Sequence, residues 1–216
     1  MDYNELISCF QDTIKMSEDE LQDATLEAID NTCVLKENIY EEVFENSNVK
    51  IKERPEDADV FVEVNTTFAT AKEYLQDGKV AVLNFANPIR PGGGVQNGAI
   101  AQEECLCRSS NLYCCLREEK VFEDYYLYHR KMDHYLSTDR LIYSKDITVF
   151  KNDNRIPALM SARNWFQVDV ITCAAPYLIG NVNIDQNSLK RVFLKRIQNI
   201  LDAAILNQVD TIILGA

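Results

Sequence analysis

Val80-Ala-Val-Leu-Asn-Phe-Ala-Asn-Pro-Ile-Arg-Pro-Gly-Gly-Gly-Val-Gln-Asn-Gly-Ala-Ile-Ala-Gln-Glu-Glu104 reads as three pieces in succession. Val80 to Phe85 is a short apolar run, the pattern of a strand buried on both faces. Residues 87–100 form a loop, and Gln102-Glu103-Glu104 opens a stretch from Ala101 to Arg117 that is rich in helix formers. The order strand, loop, helix puts the loop at the carboxyl end of a strand, where open α/β sheets bind ligands. Of the chain's seven glycines, Gly92, Gly93, Gly94 and Gly98 crowd into this loop, and Pro88 and Pro91 stiffen its approach. Successive glycines let backbone N–H groups converge on an anionic group without Cβ interference. The G-x-G-x-x-G and G-K-[S/T] patterns are absent, so the loop is neither a dinucleotide fingerprint nor a Walker loop. A different phosphate-sugar site is implied.

Upstream, residues 1–40 read as helical. Leu6, Ile7 and Phe10 recur at helical spacing, and Ser17 with Glu20 suggests a capping box before Leu21, Leu26 and Ile29. Val49 and Ile51, then Val60, Val62 and Val64, alternate with polar neighbours and predict two strands. Thr66 or Thr67 is placed to cap a helix through Leu75 that Gly78 ends. Downstream, Asp124 to His134 predicts a short aromatic helix and Ile142 to Phe150 an extended segment. Val168 to Pro176 reads as a strand entering a turn, Leu189 to Leu206 as a long amphipathic helix, and Thr211 to Ala216 as a last apolar strand. Strands alternating with helices predict an α/β fold with an at least partly parallel sheet. The division expected is a helical extension over residues 1–45 and one main domain over 46–216, without an internal repeat or a linker.

A chain of 216 residues has room for one large domain. Lys and Arg number 22 against 34 Asp and Glu, so the net charge is 22 − 34 = −12, which disfavours sequence-reading contact with DNA or RNA. No run of 18 apolar residues is present, and the start MDYNELISCF lacks the basic and apolar regions of a signal peptide. No membrane association is expected, and seven cysteines, an odd number, fit a reducing cytoplasm better than a disulfide framework. The only histidines are His129 and His134, too few for a histidine-based triad or an imidazole metal site. Catalysis is therefore expected to use carboxylates.

Other candidates have plainer readings. Cys105, Cys107, Cys114 and Cys115 suggest a metal cluster, but on a helix Cys105 and Cys107 project to different faces and no histidine is near. Buried structural thiols are favoured for these and for Cys9, Cys33 and Cys173, with no metal and no cofactor expected. The stretch Asp124 to His129 fits an amphipathic packing helix better than an aromatic platform for adenine. Tyr177 stands at a strand end where it could contact a ligand, and Trp165 and Phe166 are expected to plug a core edge. Lys190, Arg191, Lys195 and Arg196 read as the solvated face of a helix.

Gly92-Gly93-Gly94, seven residues, then Gln102-Glu103-Glu104 resembles the GGG-x(6–8)-QEE signature of poly(ADP-ribose) glycohydrolases of the bacterial and fungal type. The similarity continues through Val82-Leu-Asn-Phe-Ala-Asn, Cys105 to Tyr113, Val170 to Pro176 and Thr211 to Ala216, covering roughly residues 50–216. It implies a macrodomain-like three-layer α/β/α sandwich with a mixed sheet and an N-terminal helical extension. By the same resemblance Glu104 is the catalytic acid/base and Glu103 hydrogen-bonds ribose hydroxyls beside the scissile ribose–ribose bond. Gly92, Gly93 and Gly94 contact the distal ribose and diphosphate through the backbone, Asn87 helps hold the distal ribose, and Val95 and Gln102 complete the substrate-binding set. Cleaving such a bond needs a proton for a poor leaving group and then a base for water, and one carboxyl can serve both steps. Adjacent helical residues point about 100° apart, so Glu103 and Glu104 are not expected to flank a sugar as an ordinary glycosidase pair does. The implied partner is ADP-ribose or poly(ADP-ribose), and the implied activity releases ADP-ribose. An ADP-ribose-binding module with weak or no hydrolysis, or a hydrolase of another ADP-ribosylated substrate, fits the same residues. Family members continue past the strand that ends here at Ala216 into a second glycine-rich loop. A truncated C-terminal part, or a partner covering the last strand, is therefore expected.

Overall fold

The computed structural model describes residues 3–39, 58–132, 136–178 and 184–215. In chain order the elements are α1 (Tyr3–Glu18), α2 (Gln22–Asp30), β1 (Thr32–Leu35), α3 (Thr67–Glu73), β2 (Val80–Phe85), α4 (Gln102–Ser109), α5 (Leu112–Leu116) and α6 (Glu119–Val121). A π-helical turn (Phe122–Leu127) leads into α7 (Tyr128–Arg130), followed by β3 (Leu141–Val149), β4 (Phe166–Cys173), α8 (Gln186–Leu206) and β5 (Thr211–Ile213). One sheet runs β1-β3-β4-β2-β5. β4, β2 and β5 are parallel, while β1, β3 and β4 pair antiparallel, so the sheet is mixed as expected.

The alternation of β2 shows why both faces are covered. Val80 and Val82 join a core with Phe10, Ala28, Phe68, Leu106 and Tyr126 on the side of the helices that precede β3. Ala81 and Leu83 join Tyr143, Ile171, Ile200 and Ala203 under α8 on the other side. Period-two alternation with apolar residues on both faces is what a central strand of a three-layer sandwich requires. α8 is anchored at its start by Asp185, whose carboxylate accepts N–H bonds from Asn187 and Ser188, each at 3.0 Å. No helix among the described residues is long and apolar enough to cross a membrane.

Several local expectations are corrected. Thr32–Leu35 is a strand pairing with Leu141–Ser144, so residues 1–40 are not wholly helical. The capping box at Ser17 does not form: Ser17 lies inside α1 and its hydroxyl donates to the Thr13 carbonyl at 2.9 Å. Val60, Val62 and Val64 form no strand and are exposed, because no element among the described residues covers the alternating face that their pattern offers. The strand expected around Val49 and Ile51 lies outside the described residues. Thr66 sits at the start of α3, yet the capping acceptor is Asp153, which takes the Thr66 hydroxyl and the Ala69 N–H. The helix expected over 101–117 breaks at Ser110-Asn111, because Asn111 turns its backbone N–H and side-chain oxygen onto Thr148 of β3. Arg196 is not solvated. It is buried, and it donates to the carbonyls of Ala174 at 2.7 Å and Leu136 at 2.9 Å. Trp165 packs on Phe150 and Phe166 on Phe68, as a core edge requires.

Candidate active site

The glycine loop hangs from the carboxyl end of β2 and is built from its own backbone outward. Asn87 Oδ1 accepts the N–H groups of Ile89 and Arg90, each at 3.0 Å, closing an Asx turn that sets the approach. Arg130 of α7 donates to the Ile89 carbonyl at 2.8 Å and pins the same turn from outside. Gly92 and Gly93 follow with φ of +64° and +58°, two left-handed residues in a row. Val95 then turns into the core, fully buried, in a one-turn 3₁₀ helix over Val95–Asn97. Its side chain thereby anchors the loop in the core.

The N-terminus of α4 lies beneath this loop. Gln102 turns its amide onto β2 and α3: Oε1 accepts the Phe85 N–H at 2.8 Å, and Nε2 donates to the Leu83 carbonyl at 2.7 Å and to Thr67 Oγ1 at 3.3 Å. It continues the strand's hydrogen bonding after the backbone has turned away, so it splices helix to strand. Glu103 Oε2 accepts the Asn87 N–H at 2.8 Å, and Glu104 Oε1 accepts the Gly94 N–H at 2.8 Å. Both side chains are buried, at 3% and 7% exposure, and each leaves one oxygen, Glu103 Oε1 and Glu104 Oε2, buried without a partner.

The two carboxyls meet at Gly93. A Cβ there would collide with Glu104 Oε1 and stand 3.0 Å from Glu103 Oε2. The 100° offset between neighbouring residues does not separate them, because the loop arches over the first turn of the helix and receives both. Burial is the larger influence on Glu103 and pushes its carboxyl up to about 8, against the lowering effect of the Asn87 N–H, with the Glu104 charge adding to the rise. An acid that holds its proton at neutral pH thus stands beside a second carboxyl.

Residues that the sequence did not single out complete the frame. Asn84, fully buried in β2, donates to Thr172 Oγ1 at 3.1 Å; one polar residue in an apolar strand was the signal available. Arg108, also buried, donates to the Ala99 carbonyl at 2.6 Å and to Cys105 Sγ at 3.5 Å, tying the far end of the loop to α4. Tyr113 offers its ring to Gly92 and its hydroxyl to Gln96. Tyr125 and Tyr126 are fully buried, and Tyr125 Oη accepts the Ala174 N–H at 3.1 Å, so this stretch packs as expected. Burial pushes the His129 imidazole down to about 4, and its Nε2 pairs with Thr138 Oγ1 at 2.9 Å, so it is a neutral structural group. His134 lies outside the described residues. Tyr177, beyond the end of β4, is half exposed. Cys33 and Cys105 are exposed, contrary to the expectation for them, whereas the other five thiols are buried. Among the described residues no group of three or more His, Cys, Asp or Glu side chains is arranged to hold a metal ion.

Residues 10–152 match the family model for the catalytic domain of microbial-type PARG, poly(ADP-ribose) glycohydrolase. Among solved structures, the poly(ADP-ribose) glycohydrolase of Thermomonospora curvata superposes with a TM-score of 0.82 at 27% identity, over 99% of this chain and 80% of that one. The same enzyme bound to the inhibitor ADP-HPD gives 0.79 at 27% identity, over 99% and 79%. The enzyme of Deinococcus radiodurans in complex with ADP-ribose gives 0.69 at 29% identity, over 89% and 75%. No curated protein matches the chain.

Proposed function

From the premise that the chain belongs to the microbial-type poly(ADP-ribose) glycohydrolase family, we propose that it hydrolyses ribose–ribose O-glycosidic bonds and releases ADP-ribose, with Glu104 as general acid and then general base. The observation that carries this assignment is the meeting of the Glu103 and Glu104 carboxyls at the Cβ-less Gly93, each with a buried oxygen still unpaired.

Glu104 delivers a proton to the leaving ribose oxygen as the bond from the anomeric carbon breaks and oxocarbenium character develops. The resulting carboxylate takes a proton from water, which attacks that carbon, and the acid is restored for the next turnover. Glu103 accepts a hydrogen bond from a ribose hydroxyl and keeps the buried pair from carrying two charges. The backbones of Gly92, Gly93 and Gly94 lie against the distal ribose and diphosphate. Asn87, whose side chain closes the loop turn and whose N–H holds Glu103, orients the same wall, while the buried Val95 anchors the middle of the loop and Gln102 ties the start of α4 to β2. Two carboxyls on one helical turn cannot grip a sugar from opposite sides, which is why one acts and the other positions.

The test is the release of ADP-ribose from poly(ADP-ribose) by wild type and by Glu104→Gln. Loss of general acid catalysis alone is expected to cost about 10²–10⁴-fold in kcat, with ADP-ribose binding retained in calorimetry. Equal rates would remove Glu104 from the mechanism.

A further inference from the structure

The glycine loop grows more exposed along its approach: Gly92 is buried and Asn87 half-buried, while Ile89 and Arg90 are exposed. Arg130 of α7 is held against this outer limb on two sides. Its Nε donates to the Ile89 carbonyl at 2.8 Å, and its guanidinium carbon lies 4.9 Å from the centre of the Phe122 ring. The π-helical turn that supplies Phe122 leads straight into α7, and such turns recur at functional sites. The two Nη groups of Arg130 make no hydrogen bond among the described residues, so an edge able to grip two oxygens of one anion is already oriented. Arg90 and Lys131 adjoin the two bonded residues in sequence and are exposed. Glu123 and Asp124 share the π-helical turn, yet among the described residues none of the three cations is paired with a carboxylate. In a chain of net charge −12, three unpaired cations around one turn reverse the field locally.

We propose that Arg130, Arg90 and Lys131 form a second anion subsite, which takes the diphosphate of the ADP-ribose unit next to the one held at the glycine loop. This deepens the hydrolase reading and rests on it for the identity of the ligand. The ribose that leaves when the bond is cut belongs to that next unit and bears the unit's own diphosphate, so an anion follows the scissile bond outward at a remove of one sugar. Arg130 meets two of its oxygens through the Nη edge, and Arg90 and Lys131 offset the remaining charge. Because the Ile89 carbonyl and the Phe122 ring already hold Arg130, little side-chain freedom is lost on binding. The subsite lets an acidic protein hold a polyanion that its overall charge repels. It also favours polymer over the product, since free ADP-ribose has no second diphosphate to offer.

Calorimetry on the Glu104→Gln protein, which is expected to bind without turnover, compares ADP-ribose with its dimer. The dimer should bind about tenfold more tightly, the worth of one charge-assisted contact. Arg90→Gln combined with Lys131→Gln, at two exposed positions, should abolish that advantage while the affinity for ADP-ribose and the melting temperature stay unchanged. Arg130→Lys keeps the charge but loses the forked edge, and should weaken the dimer by more than it weakens ADP-ribose. Inorganic pyrophosphate added to protein saturated with ADP-ribose should bind far more weakly than the dimer, because it lacks the tether. Equal affinities for ADP-ribose and dimer, an advantage that survives the double variant, or an Arg130→Lys loss shared equally by both ligands would overturn the proposal. Tight pyrophosphate binding would assign the subsite to a free anion and overturn it too. The expected binding pattern in a wild type that cleaves no polymer would support the subsite and remove the hydrolase reading instead.

Discussion

Gly93 shows how little room the site leaves. Its left-handed backbone alone costs a side chain about 1–2 kcal/mol, and the added Cβ would collide with Glu104 Oε1. Gly93→Ala is therefore expected to fold with a melting temperature lowered by several degrees and to lose at least tenfold in kcat, a disproportion that paired calorimetry and kinetics would reveal. Glu103 gives a pH-dependent counterpart. Below about 4.5, its ordinary value, the carboxyl is protonated both folded and unfolded and contributes nothing to the balance. From there to about 8 the unfolded chain ionises while the buried group keeps its proton, so folding is increasingly penalised, and above that the penalty is constant. Glu103→Gln should accordingly gain more stability at pH 8 than at pH 5 in denaturant titrations. Reversal of that order would mean the carboxyl is ionised in the folded protein. The glutamates and glycines were legible because a spacing motif carries them. Asn84 and Arg108 were not, since what marks them is burial: Asn84 pairs with Thr172 far along the chain, and Arg108 reads as an ordinary surface cation of a helix until the fold encloses it.

At the scale of elements, the junction of β2 with α4 depends on Gln102 more than on either element's propensity. Gln102→Leu strips two backbone groups of β2, at Leu83 and Phe85, of their partners. The expected loss is about 1–3 kcal/mol, chiefly from the more buried Leu83 carbonyl since Phe85 is exposed, measurable by chemical denaturation, together with reduced kcat as the glutamates lose register with the loop. β2, β3, β4, α8 and β5 were readable because their periodicity coincides with their burial. Val60, Val62 and Val64 show the converse, a period-two pattern left exposed because pairing is decided by neighbours that the local sequence does not contain. The same holds for β1, whose four residues gain strand character from β3, and for α3, capped by Asp153 from far along the chain. The break between α4 and α5 is likewise a tertiary event, made by Asn111 pairing with Thr148.

For the whole molecule, the two N-terminal helices belong to the main core: Phe10 and Ala28 pack with β2, β3 and β4, and the buried Lys151 binds the Cys9 carbonyl at 2.9 Å and Asp12 at 2.7 Å. A chain starting at Thr32 is expected to lose cooperative unfolding and to bind hydrophobic dyes. A sharp two-state transition in that truncated protein would establish the helices as a dispensable extension. The net charge of −12 opposes an anionic polymer at long range. Raising ionic strength through the range where the screening length falls from about 30 Å to about 8 Å should therefore increase kcat/KM, before direct phosphate contacts begin to weaken. Gly98, at φ +75°, rests so close to α1 that a Cβ would stand 2.9 Å from the Tyr3 carbonyl oxygen. Helix and catalytic loop thus share a wall with no slack, so evolutionary drift in either is answerable to the other, and a graft of this loop onto another scaffold would have to carry the opening turn of the protein with it.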